Sequence, residues 1–360
     1  NDSHQGVESN DPEVEVRISC FMGRFKKRPK IRSLFRQPQV RSTALCGAFR
    51  WRSHKVNLMA KKYRVYHDET KEGGYWHGLL FVPEESRNQV ISVLKELREV
   101  TGHKDPIGWK SVSNRKNRVT GLIEQWIQWS IGWMRTAEKG EPYYVARIQS
   151  PRAREYIQLE EKLGIKFAAL WSKDGLKEMK YSFDYGNKVE ITLGFILNYA
   201  LQYFGEEERI ELVSIHADGH EHYGRKLQLR NILKKIEEDS ESYVINPREL
   251  KLHQGPSDPR RVGSQNYKDC QFLQLTDLLI GATRTCCGYE ENETKQRLAE
   301  PVAMPLEASA RGSKGYKNSR WYRSFIAHRA FLVDDDWNFE SVPRNPRDWA
   351  PNNQQELPFE

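Results

Sequence analysis

Two carboxylates stand side by side where a short β-prone run gives out, and they are the first residues in this chain that could do chemistry. The run Tyr63-Arg-Val-Tyr-His-Asp-Glu69 closes in Asp68 and Glu69, then breaks into Thr70-Lys-Glu-Gly-Gly74. A second such run, Glu211-Leu-Val-Ser-Ile-His-Ala-Asp218, ends in an acid just before Gly219. A third acid, Asp277, has Leu273 one turn before it and Ile280 and Gly281 one turn after. Acids on half-buried or core-facing positions are costly unless paired or bound to a cation. Carboxylates are the hard-oxygen ligands that Mg²⁺ or Mn²⁺ prefers. Two such ions, roughly 3.5–4 Å apart, can activate a water and stabilise the leaving oxygen in phosphodiester cleavage. Each acid also has an ordinary reading. Asp218 before a glycine suits a turn cap, Asp277 suits a buried ion pair, and Glu69 suits a solvated edge. Three acids at element ends, far apart in sequence, together point to a metal-binding carboxylate cluster.

Side-chain alternation sorts the neighbours. Arg64, Tyr66 and Asp68 share one face of the first strand, while Val65, His67 and Glu69 share the other. By the same period Leu212, Ser214, His216 and Asp218 share a face. Imidazoles crowd the second strand end in His216-Ala-Asp-Gly-His-Glu-His222. Imidazole suits Zn²⁺ or Mn²⁺, but no zinc motif is present. The stretch reads equally as a polar loop with His216 tucked beneath, so His216, His220 and His222 are candidates for metal contact, support or proton shuttling. Lys110, Lys180 and Lys226 are candidates for phosphate contact or for solvated surface. Gly73-Gly74 is a turn rather than a phosphate loop, since no Lys-Ser/Thr pair follows it. No Ser-His-Asp or Cys-His arrangement is supported, and the adjacent Cys286 and Cys287 read as structural.

The elements that must position these residues are legible in outline. Tyr75 to Val82 is a second β-prone run, which with the first predicts a hairpin across a glycine turn. Helical spacing of apolar residues predicts helices over Glu84–Val100 and Val119–Met134. It also predicts Arg152–Leu163, Val189–Phe204 and, most plainly, Gln271–Arg284. A charged helix is expected from about Tyr223 to Glu238. Ile107–Val112 and Tyr143–Ile148 are expected as strands, with another near Tyr243–Ile245 or Leu250–His253; Phe167–Trp171 is ambiguous. Glu290–Lys317 reads as a loop, Ser319–Leu332 as a helix, and the tail from Asp334 as disordered.

Length and composition bound the class. The 360 residues suffice for one large or two ordinary domains, and 38% hydrophobic with 29% charged residues is compatible with a packed core. No apolar run approaches the roughly 20 residues of a membrane span and no signal-peptide pattern opens the chain, so no membrane partner is expected. Five cysteines without paired spacing suit a reducing, cytoplasmic location. A net charge of +8 favours a polyanionic partner, most simply nucleic acid. Arg17–Arg52 is rich in Arg and Lys with scattered Phe and Trp, which suits either a phosphate-gripping arm or, more simply, a disordered extension. Met59-Ala-Lys-Lys62 would serve as a natural start, with the upstream segment an over-extended reading frame. The expected organisation is a basic extension over 1–60, one α/β domain over 61–290, and an irregular region with one short helix over 291–360.

Taken together, His67-Asp-Glu-Thr70, the strand end Ile215-His-Ala-Asp218, and Phe272-Leu-Gln-Leu-Thr-Asp-Leu-Leu-Ile-Gly-Ala282 resemble a prokaryotic domain-of-unknown-function family, number 3800, grouped with the ribonuclease H-like superfamily. The resemblance spans about Lys61 to Gly288, and its most specific part is Leu-Gln-Leu-x-Asp-Leu followed by Gly-Ala. It implies an α/β fold with a mixed ribonuclease H-like sheet flanked by helices, with insertions. Acids are then expected on the first and fourth strands and on a late helix. It further implies that Asp68, Asp218 and Asp277 carry two Mg²⁺ or Mn²⁺ ions, Asp68 bridging them and Glu69 supporting. Many members have Asp-Glu-Ser-Gly at the first motif where this chain has Asp68-Glu-Thr-Lys71. Such sites commonly add an acid from the first core helix, for which Glu190 and Glu124 are candidates. The function so implied is a metal-dependent nuclease or related phosphodiester-processing enzyme acting on DNA or RNA. The alternatives are a non-catalytic nucleic-acid- or partner-binding protein of the same fold, in phage defence or on a mobile element, and a histidine-assisted hydrolase of a small phosphorylated substrate.

Overall fold

The two β-prone runs flanking Gly74 pair antiparallel, Asp68 opposite Gly78 and Tyr66 opposite Leu80, and this hairpin lies at the middle of an eight-stranded mixed sheet. The structure is a computed structural model. It describes residues 60–71, 74–113, 117–135, 163–172, 185–206, 208–218, 226–255, 257–258, 267–288, 292–311, 324–333 and 336–341. The elements in chain order are β1 (Lys61–Thr70), β2 (Tyr75–Pro83), α1 (Arg87–Thr101), α2 (Arg118–Arg135), β3 (Lys166–Ser172) and α3 (Tyr185–Gly205). They continue with β4 (Ile210–Asp218), a single-turn α4 (Leu229–Ile232), β5 (Tyr243–Ile245) and β6 (Lys251–Gly255). The last are α5 (Tyr267–Cys286), α6 (Glu293–Arg311), β7 (Phe325–Val333) and β8 (Asp336–Ser341). Strand order is β5-β4-β1-β2-β3-β7-β8, with β6 also beside β4. β1 and β4 run parallel, as do β4 with β5 and β6 and β3 with β7; the other neighbours are antiparallel.

Helices cover both faces. Tyr66, Trp76, Leu80, Val82, Phe167 and Trp171 pack on one side against α1, α2, α5 and α6. Tyr63, Val65, Leu79, Phe81, Ala168 and Leu170 pack on the other against α3. Burial on both faces explains why β2 and β3 read as continuous apolar runs rather than alternating ones. α5 is buried along almost its whole length. Among the described residues no helix is long and apolar enough to cross a membrane.

Several expectations are corrected. Ile107–Val112 is not a strand: Trp109–Ser111 is a 3₁₀ turn whose buried indole lies against α5. The charged helix expected over 223–238 shrinks, within the described part, to α4 and one 3₁₀ turn. Both of the alternative strands, β5 and β6, form. Residues 291–360 hold more order than expected. α6 forms despite Pro301 and Pro305, because Leu298, Ala299, Val302 and Leu306 recur at helical spacing and are buried. β7 takes the place of the expected helix; it is buried beside β3, and a short apolar run of that kind does not separate strand from helix by periodicity. β8 falls in the tail expected to be disordered. The strand expected at Tyr143–Ile148, nearly all of the helix over Arg152–Leu163, and the basic extension up to residue 59 lie outside the described residues.

Close approach of α5 to its neighbours depends on glycine. A Cβ on Gly281 would lie 2.1 Å from the Trp109 ring, whereas nothing stands within 4 Å of a Cβ on Gly255. Gly281→Ala is therefore expected to lower stability by about 1–3 kcal/mol through overpacking. Gly255→Ala is expected to stay within about 0.5 kcal/mol of the parent. Urea unfolding midpoints of the two variants check this.

Candidate functional site

Strand register brings the first two acids together. β4 lies beside β1 with His216 next to Tyr66 and Ala217 next to His67, so Asp218 and Asp68 follow one step further along the two parallel strands. Both project to the face that carries Tyr66, the face covered by α5. The register slips by one residue at Val213, where Tyr63 pairs with Leu212 but Arg64 with Ser214. This bulge corrects the expected alternation: Leu212 packs with Ile215 and Ala217 on the α3 side, while Ser214, His216 and Asp218 face α5. Without the slip the two acids would leave opposite faces of the sheet.

The third acid arrives from above. Gly78, opposite Asp68 in the hairpin, lets α5 settle on the sheet, and a Cβ there would lie 2.3 Å from Ile280 Cγ1. Asp277, one turn before Ile280, is thereby carried to the strand ends. The electrostatics report the convergence. Burial first, then the carboxylates of Asp277 and Asp218, hold the Asp68 carboxyl well above the usual carboxylate range. Both other acids therefore act on Asp68.

Each acid is also gripped by a backbone donor. The Glu69 N–H donates to Asp68 Oδ1 at 2.8 Å, and the Trp109 N–H donates to Asp277 Oδ2 at 2.7 Å. The Ser257 N–H and Oγ–H donate to the two oxygens of Asp218, each at 3.2 Å. Gln274, one turn before Asp277, ties these donors together. Its Nε2 donates to the Ser257 carbonyl at 2.8 Å, while its Oε1 accepts from the Ile107 N–H at 3.2 Å and from buried Arg98. One amide thus anchors the loop that holds Asp218 and the loop that holds Asp277. Sequence reasoning passed over Gln274, Trp109 and Ser257; the only signal was the position of Gln274 inside the Leu-Gln-Leu-x-Asp motif.

Other candidates sit elsewhere. Glu69 leaves the opposite face of β1, toward α3, and accepts a hydrogen bond from Tyr75 Oη. Glu190 is buried on α3, where it accepts from the Gln228 N–H and Asn231 Nδ2, each at 2.6 Å, and so fixes the start of α4. Glu124 pairs with Arg297 at 2.8 Å. Both carboxylates are thus engaged with partners of their own. His216 lies one pleat below Asp218, its Nε2 3.0 Å from Ser214 Oγ, and burial lowers its pKa to about 4. Lys110 is exposed on the turn anchored to Asp277. His220, His222 and Lys180 lie outside the described residues.

Three carboxylates supply the right donors for a hard divalent cation, and their mutual repulsion is the kind that a cation relieves. They are not drawn up as a finished ligand set: among the described residues no group of three or more His, Cys, Asp or Glu is placed to hold a metal ion. No family model matches the chain, and neither does any curated protein or solved structure.

Two outcomes follow from this geometry. The raised Asp68 pKa means that the native state holds a proton where the unfolded chain has lost it. Its ionisation therefore costs stability as pH rises above the ordinary carboxylate range. Asp68→Asn is expected to melt higher than the parent at neutral pH without divalent ions, with the gain vanishing below about pH 4. Thermal unfolding across pH reads this directly. Gln274→Leu strands Arg98 and two backbone groups, and is expected to cost about 2–4 kcal/mol. Hydrogen exchange should then speed up at both Trp109 and Ser257, whereas loss at one loop alone would deny the coupling.

Proposed function

We propose that the protein is a metal-dependent nuclease, or a related phosphodiester-processing enzyme, acting on nucleic acid. The observation that carries this reading is the mutual repulsion of Asp68, Asp218 and Asp277, three acids from sequence-distant elements gathered at one end of the central strands. Acids on the first and fourth strands and on a late helix are what the ribonuclease H-like resemblance implies. The strand pattern, with β1 between antiparallel β2 and parallel β4, suits that sheet type. The net charge of +8 favours a polyanionic substrate.

Asp68, Asp218 and Asp277 would hold two Mg²⁺ or Mn²⁺ ions, whose chemistry when bound is activation of water and stabilisation of the leaving oxygen. The chain's own part is positional. Ser257 and the Trp109 N–H orient two of the carboxylates, and Gln274 fixes both donors relative to each other. Lys110, on the turn that grips Asp277, is suited to meet a phosphate of the substrate.

The placement of Glu190 and Glu124 away from Asp68 favours a second reading, a non-catalytic nucleic-acid- or partner-binding protein. Cleavage of labelled single- and double-stranded DNA and RNA with Mg²⁺ or Mn²⁺ separates the two. Asp68→Asn and Asp277→Asn are expected to lose about a hundredfold or more of the activity, the usual scale for a group that stabilises transition-state charge. Mn²⁺ should also raise the melting temperature of the parent but not of Asp68→Asn. Equal background in all three proteins, with no Mn²⁺ shift, would leave the binding reading.

A further inference from the structure

Beside Asp218 a cleft of about 540 Å³ opens between β4, β6 and the start of α5, with Arg64 of β1 also in its lining. Its size falls within the range of small-ligand pockets, about 300–1,000 Å³. Ala217, the neighbour of Asp218, lines it, and so does Cys270, whose thiol is pushed up to about 11 by burial and by the charges of Asp269, Asp218 and Asp258. The cleft therefore lies next to the carboxylates without containing them.

Two features of the lining point to a ligand. The first is a ladder of rings. Tyr66, His216 and His253 occupy matching positions on β1, β4 and β6. They stack at centroid spacings of 4.8 and 4.6 Å, with interplanar angles of 22° and 16°. That is the spacing between neighbouring strands, about 4.7–4.9 Å, so the stack is imposed by the sheet. The inner end is closed by Phe272 against Tyr66 at 4.5 Å. The outer end is open: His253 is exposed, and among the described residues no ring other than His216 lies on it. The second feature is cationic. Lys226 is exposed and has no ion pair among the described residues. Arg64 spends its Nε and Nη2 on Glu84, leaving Nη1. Asp269, the acid of the lining, is bonded to Arg87 at 2.6 Å and to Tyr66 Oη at 2.9 Å.

A planar ring at strand spacing with a cation within the same cleft is a site for a base and its phosphate. We infer that this cleft takes an unpaired nucleotide of a nucleic-acid strand, its base stacked on His253 as the next rung and its phosphate on Lys226 and Arg64. Stacking on a ring face is tolerant of base identity, so the site grips a strand without reading its sequence. The inference deepens the proposed action on nucleic acid by naming where an unpaired strand is held, and it rests on that reading.

Binding of fluorescein-labelled single-stranded oligonucleotides by the full chain, in excess chelator so that no cleavage intervenes, tests it. His253→Ala is expected to weaken binding by about tenfold, and an oligonucleotide of abasic sugars should bind the parent equally weakly. His253→Trp should hold or tighten binding, which a merely structural role for the imidazole would not produce. Lys226→Ala should weaken binding and lower the salt slope by about one, whereas Lys104→Ala, which removes an exposed charge elsewhere, should do neither. Parent-like binding by both His253→Ala and Lys226→Ala would overturn the cleft while leaving the cleavage result to stand or fall alone. A nucleoside monophosphate that competes as tightly as the strand would also overturn it, in favour of a free-nucleotide site. Strand binding at the cleft without any metal-dependent cleavage would instead keep the cleft and remove the nuclease.

Discussion

The electrostatic pressure that Asp277 and Asp218 put on the Asp68 carboxyl depends on several separate features of the fold. Like charges held in partly buried positions cost stability, and nothing in their local sequence compels them to meet. Meeting requires a parallel β1–β4 pair in one specific register, with a slip at Val213 that turns Asp218 to the same face as Asp68. It requires a glycine at position 78 so that α5 can sit low on the sheet, and another at 281 so that Trp109 can sit low on α5. Each of these features reads as an oddity alone. Together they are the framework that holds three acids against their own electrostatics.

That framework is stabilised from beneath by polar groups that must be satisfied because they are buried. Arg98 illustrates the economy. Its guanidinium lies over the Trp126 ring and donates to the Asp105 carbonyl and to the Gln274 side chain. Gln274 then has a fixed orientation, which sets both of its other partners. A buried amide with several good bonds is rigid, since each alternative orientation would leave a donor or acceptor unmet. The loops over Asp218 and Asp277 inherit that rigidity. On the far face His67 Nε2 lies 2.9 Å from His77 Nδ1, an arrangement open to neutral rings, and burial lowers His67 to about 3.

What could be read from the chain beforehand divides along contact range. The hairpin, α1, α2, α3 and α5 are visible because their signal is local, a period of 2 or 3.6 with glycine at the ends. The three acids are visible for a related reason, as polar residues where the pattern demands apolar ones. Strand alternation already puts Glu69 on the face opposite Asp68, where Tyr75 Oη donates to it; only the family resemblance implies a supporting role for it. Glu190 has the burial of a catalytic acid, but its work is to receive the start of α4. The bulge at Val213, the Gly108–Trp109 turn, Ser257 and the role of Gln274 left no trace, because each exists only in contacts across scores of residues. β7 and β8 were hidden for another reason. They finish a sheet begun far earlier, and β7, covered by its neighbours, shows a run of apolar residues that fits either kind of element.

The acids and the adjoining cleft also constrain each other. Asp218 faces Asp68 on one side, and its charge reaches Cys270 in the cleft on the other. Under the proposed function, an anion held by Lys226 and Arg64 would lie in the field of these carboxylates and be opposed by it. On the same proposal, divalent cations among the acids would offset that negative field. Under the proposed function, strand binding and metal binding must then favour each other by the same factor, as linkage requires. The imidazole ladder suits this arrangement because burial holds His216 near pKa 4, so it remains neutral when the acids are charged. A cationic ring there would draw the acids' charge to itself and weaken the contrast. Under the proposed function, the neutral His216 ring would separate the anionic end from the basic end, so that one strand end could serve both a cation and a phosphate.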